Sequence, residues 1–202
     1  MVSQFLAALP LFAPVWLAWI VFYGYWGASI IYEVATGRFK KRERSGQPPQ
    51  AAVAQTLLLG AAIVLEVDPL IRVWGTGVAT NYSPLQALGV AVAFIGVGFA
   101  IWARRHLGGN WSGDVTIKKG HTLTKTGPYA LVRHPIYFGI FLIVAGCAIY
   151  LGTASAALAV AFGALFVAYR VSTEERLMKA EFGREWELYK KEVRYVIVPR
   201  VL

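Results

Sequence analysis

Long runs without a charged side chain constrain this chain more than any other feature. The stretch "PLFAPVWLAWIVFYGYWGASIIY", residues 10–32, is 23 residues long and holds no Asp, Glu, Lys or Arg. A helix crosses the hydrocarbon core of a bilayer with about 20 apolar residues, and about 17 suffice at the short end. Further apolar runs cover about residues 51–71, 84–103, 135–151 and 154–170. Only "LGT", Leu151 to Thr153, separates the last two, which predicts a tight antiparallel hairpin. Composition agrees: 57% of residues are hydrophobic and 15% charged, outside the range of ordinary soluble domains. The expected fold class is an all-α integral membrane protein with about five transmembrane helices. One membrane domain is expected over 1–202, with three spans in 1–103 and a loop, a helical hairpin and a C-terminal amphipathic helix in 104–202. The first run extends past Tyr32, too long for a signal-peptide core, and no Lys or Arg precedes it. It reads as a retained anchor, with Pro10 and Pro14 in or before its first turn.

The formal net charge of +9 first suggests nucleic acid. Its placement argues otherwise. Five basic residues lie between the first and second runs, six between the third and fourth, and eight follow from Arg170 onward. Only Arg72 falls on the other side. Lys and Arg concentrate in cytoplasmic loops, so the split predicts an outside N-terminus and a cytoplasmic C-terminus. Topology alone accounts for the charge, and no nucleic-acid partner is expected.

Residues 171–202 read as helical. Met178, Phe182, Trp186, Tyr189 and Val193 recur at spacings of four, four, three and four, one helix face. This tail is expected on the membrane surface or folded over the cytoplasmic ends of the spans, with Gly183 a mild weakness in it. Pro135 suits the first position of a helix and pushes His134 toward an extended backbone. The free N–H groups at such a helix start attract anions. The hairpin then carries the chain back to the same membrane face. It is expected to bring Arg133, His134 and Tyr137 close to Arg170, Glu174 and Glu175. Arg133 and Arg170 could each be interface markers snorkelling to phosphates, and His134 could be a structural cap. All of these groups meeting at one hairpin mouth favours a site.

Other signals point to no chemistry. Gly96 and Gly98 in "IGVGFA" lie inside a span, with Ile101 where a dinucleotide loop needs its third glycine, so helix packing is expected. His106, His121 and His134 lack metal-ligand spacing, and no metal is expected. Cys147, the only cysteine, sits in an apolar run and reads as packing. Nothing resembles a phosphate-binding loop or a Ser–His–Asp arrangement.

The stretch "GHTLTKTGPYALVRHPIYFG", residues 120–139, resembles the signature of isoprenylcysteine carboxyl methyltransferases and their relatives, including phospholipid N-methyltransferases. The tail "TEERLMKAEFGREWELYKKEVRYVIVPR" is similar to that family's C-terminal pattern. The resemblance implies methyl transfer from S-adenosylmethionine within the membrane. It implies that His121, Thr122, Leu123, Thr124, Tyr129, His134, Pro135, Ile136, Tyr137 and Glu174 line the cofactor pocket, with Glu175 beside it. It places Arg170 toward the methyl acceptor, and Arg133 as a second cation there.

The residue chemistry suits that cofactor. Its diol or ammonium can donate to Glu174 and Glu175, histidine and helix-start N–H groups can hold its carboxylate, and Tyr129 and Tyr137 offer aromatic faces. A carboxylate acceptor is ionised at neutral pH and matches an arginine fork. An amine acceptor would gain no grip from arginine. The expected reaction is therefore carboxyl O-methylation of an isoprenylcysteine-like acceptor, with a phospholipid amine as the alternative. An NADPH-dependent membrane reductase, or a non-catalytic membrane protein on the same fold, are alternatives of other classes. Short loops suggest a multi-pass protein of a prokaryotic inner membrane, whose partners are the bilayer and a hydrophobic or lipid-modified acceptor.

Overall fold

The computed structural model describes residues 2–37, 42–45, 57, 83–113 and 115–198. Five helices and a two-stranded ribbon make up the architecture of this part: α1 (Val2–Ala35), β1 (Arg42–Ser45), α2 (Pro84–Leu107), β2 (Thr116–Lys118), α3 (Pro135–Leu151), α4 (Ala154–Phe182) and α5 (Arg184–Glu192). Among the described residues, three helices are long and apolar enough to cross a membrane: Pro14–Ala35, Pro84–Asn110 and Ala154–Phe182. The 17-residue α3 is a shorter apolar helix, about 26 Å long at 1.5 Å per residue. The expected second span, 51–71, lies outside the described residues apart from Leu57.

Local chemistry explains most boundaries. Ser83 caps α2: its hydroxyl accepts from the Gln86 N–H at 3.2 Å, while the Gln86 side chain accepts from the Ser83 N–H at 2.9 Å. That reciprocal box, with Pro84 next, starts a helix cleanly. Between α3 and α4, Gly152 adopts φ +63°, the left-handed conformation that ends a helix without a Cβ penalty. Thr153 then caps α4 by accepting from the Ala156 N–H at 3.2 Å. The hairpin forms as the spacing predicts.

Four expectations change, in whole or in part. Pro10 and Pro14 lie inside α1 rather than in its first turn, because the helix already runs from Val2. The last run does not end near Arg170; α4 continues unbroken to Phe182 and carries Glu174 and Glu175 on one rigid rod. The tail is not one helix, because Gly183 at φ +48° breaks it. Past the break, α5 folds back so that Trp186, Tyr189 and Val193 pack with Leu123, Met178 and Phe182. The apolar periodicity is genuine, but a bent chain satisfies it. The described residues are mostly helical, as expected, with one short exception: β1 and β2 pair antiparallel, with Arg42 opposite Lys118 and Ser45 opposite Thr116.

The core joins α1, α2 and α3 through Val15, Ala18, Phe22, Trp26, Ala93, Val97, Ala100, Ile143, Cys147 and Tyr150. Cys147 is packing material here, as its apolar setting suggests. Helices α2 and α3 meet along small residues spaced by seven: Gly89 and Gly96 face Gly146 and Gly139. A methyl group added at Gly146 would lie 2.5 Å from the Ala93 nitrogen, and one at Gly96 would lie 2.6 Å from the Gly139 carbonyl. Backbones this close gain van der Waals contact that larger residues would forbid. Gly98 has open space instead and plays no part in this contact.

Candidate functional site

The helices α3 and α4 are not packed as α2 and α3 are. A cavity of about 1100 Å³ opens beside them, bounded by α1, the 110–124 segment, the first turns of α3, the middle of α4 and the start of α5. One end is polar, and the opposite wall is apolar, with Phe141, Val144, Val160 and Phe166 along it. Pockets for a single drug-sized ligand measure about 300–1,000 Å³, and this cavity lies just above that range.

The polar end is built where the start of α3 meets the middle of α4. His134 enters α3 at φ −125° with Pro135 at the first helical position, and it is 7% exposed. Its ring bridges two carboxylates: Nδ1 lies 3.3 Å from Glu174 Oε2, and Nε2 lies 3.5 Å from Glu175 Oε1. Burial alone would lower the His134 pKa, but hydrogen bonds to Glu174 and Glu175 and their charge override it and raise it. The imidazole is therefore held toward its charged form. Tyr137, one turn along α3, donates a short hydrogen bond to Glu174 Oε1. Arg170 donates from Nε to the Tyr137 hydroxyl at 2.9 Å, lies 3.5 Å from Glu174, and donates to the Gly113 carbonyl. Glu174 thus sits among His134, Tyr137 and Arg170 and still borders the cavity.

The two glutamates separate. Adjacent helix positions point about 100° apart, so only one of them lines the large cavity. Glu175 instead accepts from Arg133 Nε at 2.8 Å, behind His134. Arg133 Nη1 donates to the carbonyls of Val193 at 2.9 Å and Arg194 at 2.8 Å. The backbone N–H groups of Arg133 and His134 donate to the carbonyls of Tyr195 and Val196. These two N–H groups are therefore not an open anion site; the tail occupies them. Arg133 borders the cavity with its fork engaged by Glu175 and the tail, whereas Arg170 is engaged by Tyr137 and Gly113 and stands at the junction of polar and apolar walls.

The remaining expected residues gather nearby. His121, Thr122, Leu123, Thr124, Tyr129 and Ile136 all line the cavity, whereas Pro135 is buried at the helix start and does not. Asn110 positions the threonine stretch, donating to the Thr122 carbonyl at 3.0 Å and hydroxyl at 3.1 Å. The Tyr189 hydroxyl donates to the Tyr129 carbonyl at 2.7 Å, tying α5 to the pocket. Burial pushes both tyrosine hydroxyls up, so they remain neutral donors.

Sequence reasoning missed the wall supplied by α1, where Trp16, Trp19, Phe22, Tyr23 and Trp26 line the cavity. Their tight spacing was visible, but aromatic stripes in a span look the same whether they face lipid or a ligand. It also missed a buried ion pair: Arg104 Nη2 donates to Glu33 Oε1 at 2.8 Å, joining α1 to α2. Arg104 is one of the six basic residues between the third and fourth apolar runs, yet it is only 2% exposed.

Residues 88–180 match the sequence profile of the isoprenylcysteine carboxyl methyltransferase (ICMT) family. The chain is 37% identical over 76 residues to the protein-S-isoprenylcysteine O-methyltransferase of Schizosaccharomyces pombe, covering 37% of this chain and 32% of that protein. It is 31% identical over 110 residues to the cobalt-zinc-cadmium resistance protein CzcN of Cupriavidus metallidurans, covering 54% of this chain and 45% of that protein. The chain thus spans less than half the length of the curated relatives it matches. The matched stretch contains the polar end described above, from the threonine segment through Glu174, and over residues 88–180 the chain is similar to the isoprenylcysteine carboxyl methyltransferase family.

Proposed function

We propose that the protein is a membrane methyltransferase that transfers the methyl group of S-adenosylmethionine to the carboxylate of a hydrophobic, isoprenylcysteine-like acceptor. The observation that carries this reading is the cavity itself: a carboxylate-bearing polar end, an arginine at its edge and an apolar wall in continuous space. Its donor and acceptor set suits the cofactor. Glu174 can accept from an ammonium or ribose hydroxyl, Thr122 and Thr124 can hydrogen-bond polar edges, and Tyr129 and Tyr137 present aromatic faces to adenine or a cation. A cofactor rich in phosphates fits less well beside Glu174, which weighs against the reductase alternative.

When bound, the cofactor supplies a methyl group on a positively charged sulfur, and the methyl passes to an acceptor oxygen as the carbon–sulfur electron pair stays on sulfur. The chain's own residues need to bind, align and exclude water. No general base is needed, because a carboxylate with a pKa of about 4 is already ionised at neutral pH. Arg170 is placed to orient that carboxylate. Its charge is partly offset by Glu174 at 3.5 Å, so it directs the acceptor without over-stabilising the ground state. Apolar walls favour the reaction further, since a cation and an anion become two neutral groups in a medium of low polarity. Alignment of this kind lowers barriers by up to about 7–11 kcal/mol in favourable intramolecular systems. Arg133 acts behind the site, clamping the tail against the start of α3.

By the basic residues outside the apolar runs, the polar end faces the cytoplasm, and the acceptor enters from the bilayer. The test pairs calorimetric titration of detergent-purified protein with S-adenosylhomocysteine and transfer of labelled methyl to N-acetyl-S-farnesylcysteine. Heat of binding and a labelled ester are expected, with Arg170→Ala keeping the binding and losing about a hundredfold in turnover. No heat and no ester would overturn the reading, and methylation of phosphatidylethanolamine instead would replace the acceptor.

A further inference from the structure

We propose that Trp111, backed by Trp26, determines how bulky an acceptor the cavity takes beside its reacting group, and that Glu33 and Arg104 are positioning residues that hold the Trp111 ring. This proposal rests on the carboxylate-acceptor reading given above.

Trp111 and Trp26 both line the cavity, and their rings meet edge to face with centroids 6.3 Å apart. Trp26 is in turn stacked on Phe22 at 4.1 Å and is 9% exposed, so it forms a firm backing. Ile136 and Ile140 of α3 pack against the same cluster and supply the facing wall.

Trp111 is held on two sides. The Arg104 guanidinium carbon lies 4.5 Å from its ring centroid, a cation–π contact that fixes the plane of the indole. Arg104 is fixed in turn by Glu33 at 2.8 Å and by the Gly108 carbonyl at 2.8 Å. Two residues past Trp111, the Gly113 carbonyl accepts from Arg170. A Cβ added at Gly113 would lie 3.9 Å from the Trp111 Cη2, so the indole reaches the residue that accepts from the arginine assigned to the acceptor's head. Bulk at the first atoms beyond that head therefore meets Trp111 before the rest of the apolar wall.

The Glu33–Arg104 pair is a poor device for stability alone. Among the described residues, Glu33 Oε2 and Arg104 Nε are buried with no hydrogen-bond partner. Burying charges with unmet partners costs free energy that a well-packed apolar pair would avoid. Orientation of the ring is a role such a pair performs and an apolar pair does not.

The test compares two carboxylic acids of opposite shape at the sulfur, N-acetyl-S-hexadecylcysteine and N-acetyl-S-tritylcysteine. Their binding is measured by calorimetry in the presence of S-adenosylhomocysteine, and their methylation in a separate assay. Wild-type protein is expected to favour the slim acid. Trp111→Ala should raise the affinity for the bulky acid relative to the slim one at least tenfold, with unchanged affinity for S-adenosylhomocysteine. Trp111→Phe should keep the wild-type ratio, and Glu33→Gln should shift it a few-fold in the same direction as Trp111→Ala. An unchanged ratio in Trp111→Ala, an equal shift in Trp111→Phe, or binding of neither acid would overturn the proposal. Binding that follows the predicted pattern without methylation of either acid would uphold the wall and overturn the carboxyl-transfer reading instead.

Discussion

The two faces of α3 are built on opposite principles. Toward α2 it presents Gly139 and Gly146, and the backbones approach until no Cβ fits. Toward α4 it presents Tyr137, Phe141 and Val144, and the space beyond them is open. One interface spends its surface on close contact, and the other leaves room for ligands. The closed face keeps the start of α3 rigid, so His134 and Tyr137 sit in fixed positions on the open one. A site that must align two reactants benefits from such a scaffold, since small displacements of aligned groups slow reactions greatly.

Substitutions can break this contrast directly. The largest effect is expected from Gly146→Leu, whose side chain would enter the α2 backbone. Overpacking that rigid contact should cost more than about 3 kcal/mol, read as loss of the thermal transition or of monodisperse protein in detergent. The matching change across the open side, Gly163→Leu on the cavity-lining part of α4, has nothing within 4 Å of its new Cβ. It should leave the melting temperature unaltered while filling cavity space, with turnover down at least tenfold, about 1.4 kcal/mol of barrier. Equal loss of stability in both variants would remove the distinction.

Glu174→Gln probes the polar end next. A hydrogen bond to a charged group contributes about 1.5–3 kcal/mol, so S-adenosylhomocysteine should bind roughly 10–100-fold more weakly. Glu175→Gln should change that affinity far less, because its carboxylate faces Arg133 and not the cavity.

The pH response follows from His134. Its pKa in the folded protein is raised above the ordinary value of about 6.5. The stabilisation it gives to Glu174 and Glu175 is complete below that value and is lost as pH rises through the folded pKa. Melting temperature should therefore fall between pH 6.5 and the alkaline range, and His134→Gln should flatten that part of the profile. The smallest effect is expected at Gly98→Ala, which meets open space. Better helix propensity should give up to about 1 kcal/mol of added stability, whereas Gly96→Ala, two residues away, should destabilise.

Much of this was legible from the chain alone, for identifiable reasons. The hairpin of α3 and α4 was readable because Pro135, Gly152 and Thr153 each have one strong local preference. The meeting of Arg133, His134 and Tyr137 with Arg170, Glu174 and Glu175 followed from that hairpin. Its internal division did not: which glutamate faces the cavity depends on helix rotation, and apolar residues surround α4 too evenly to reveal it. The bend at Gly183 was hidden because Met178, Phe182, Trp186 and Tyr189 keep helical spacing across the break. The Glu33–Arg104 pair joins residues 71 positions apart, and no local pattern announces a contact of that kind. Aromatic residues of α1 likewise acquire a role only from what stands opposite them.

The most direct test is an experimental structure of the protein bound to S-adenosylhomocysteine. Ligand density is expected inside the cavity, against Glu174 and the Thr122–Thr124 segment, with the sulfur facing the apolar space beside Arg170. Density outside that cavity, for example against Glu175 and Arg176 on the far side of α4, would contradict the account.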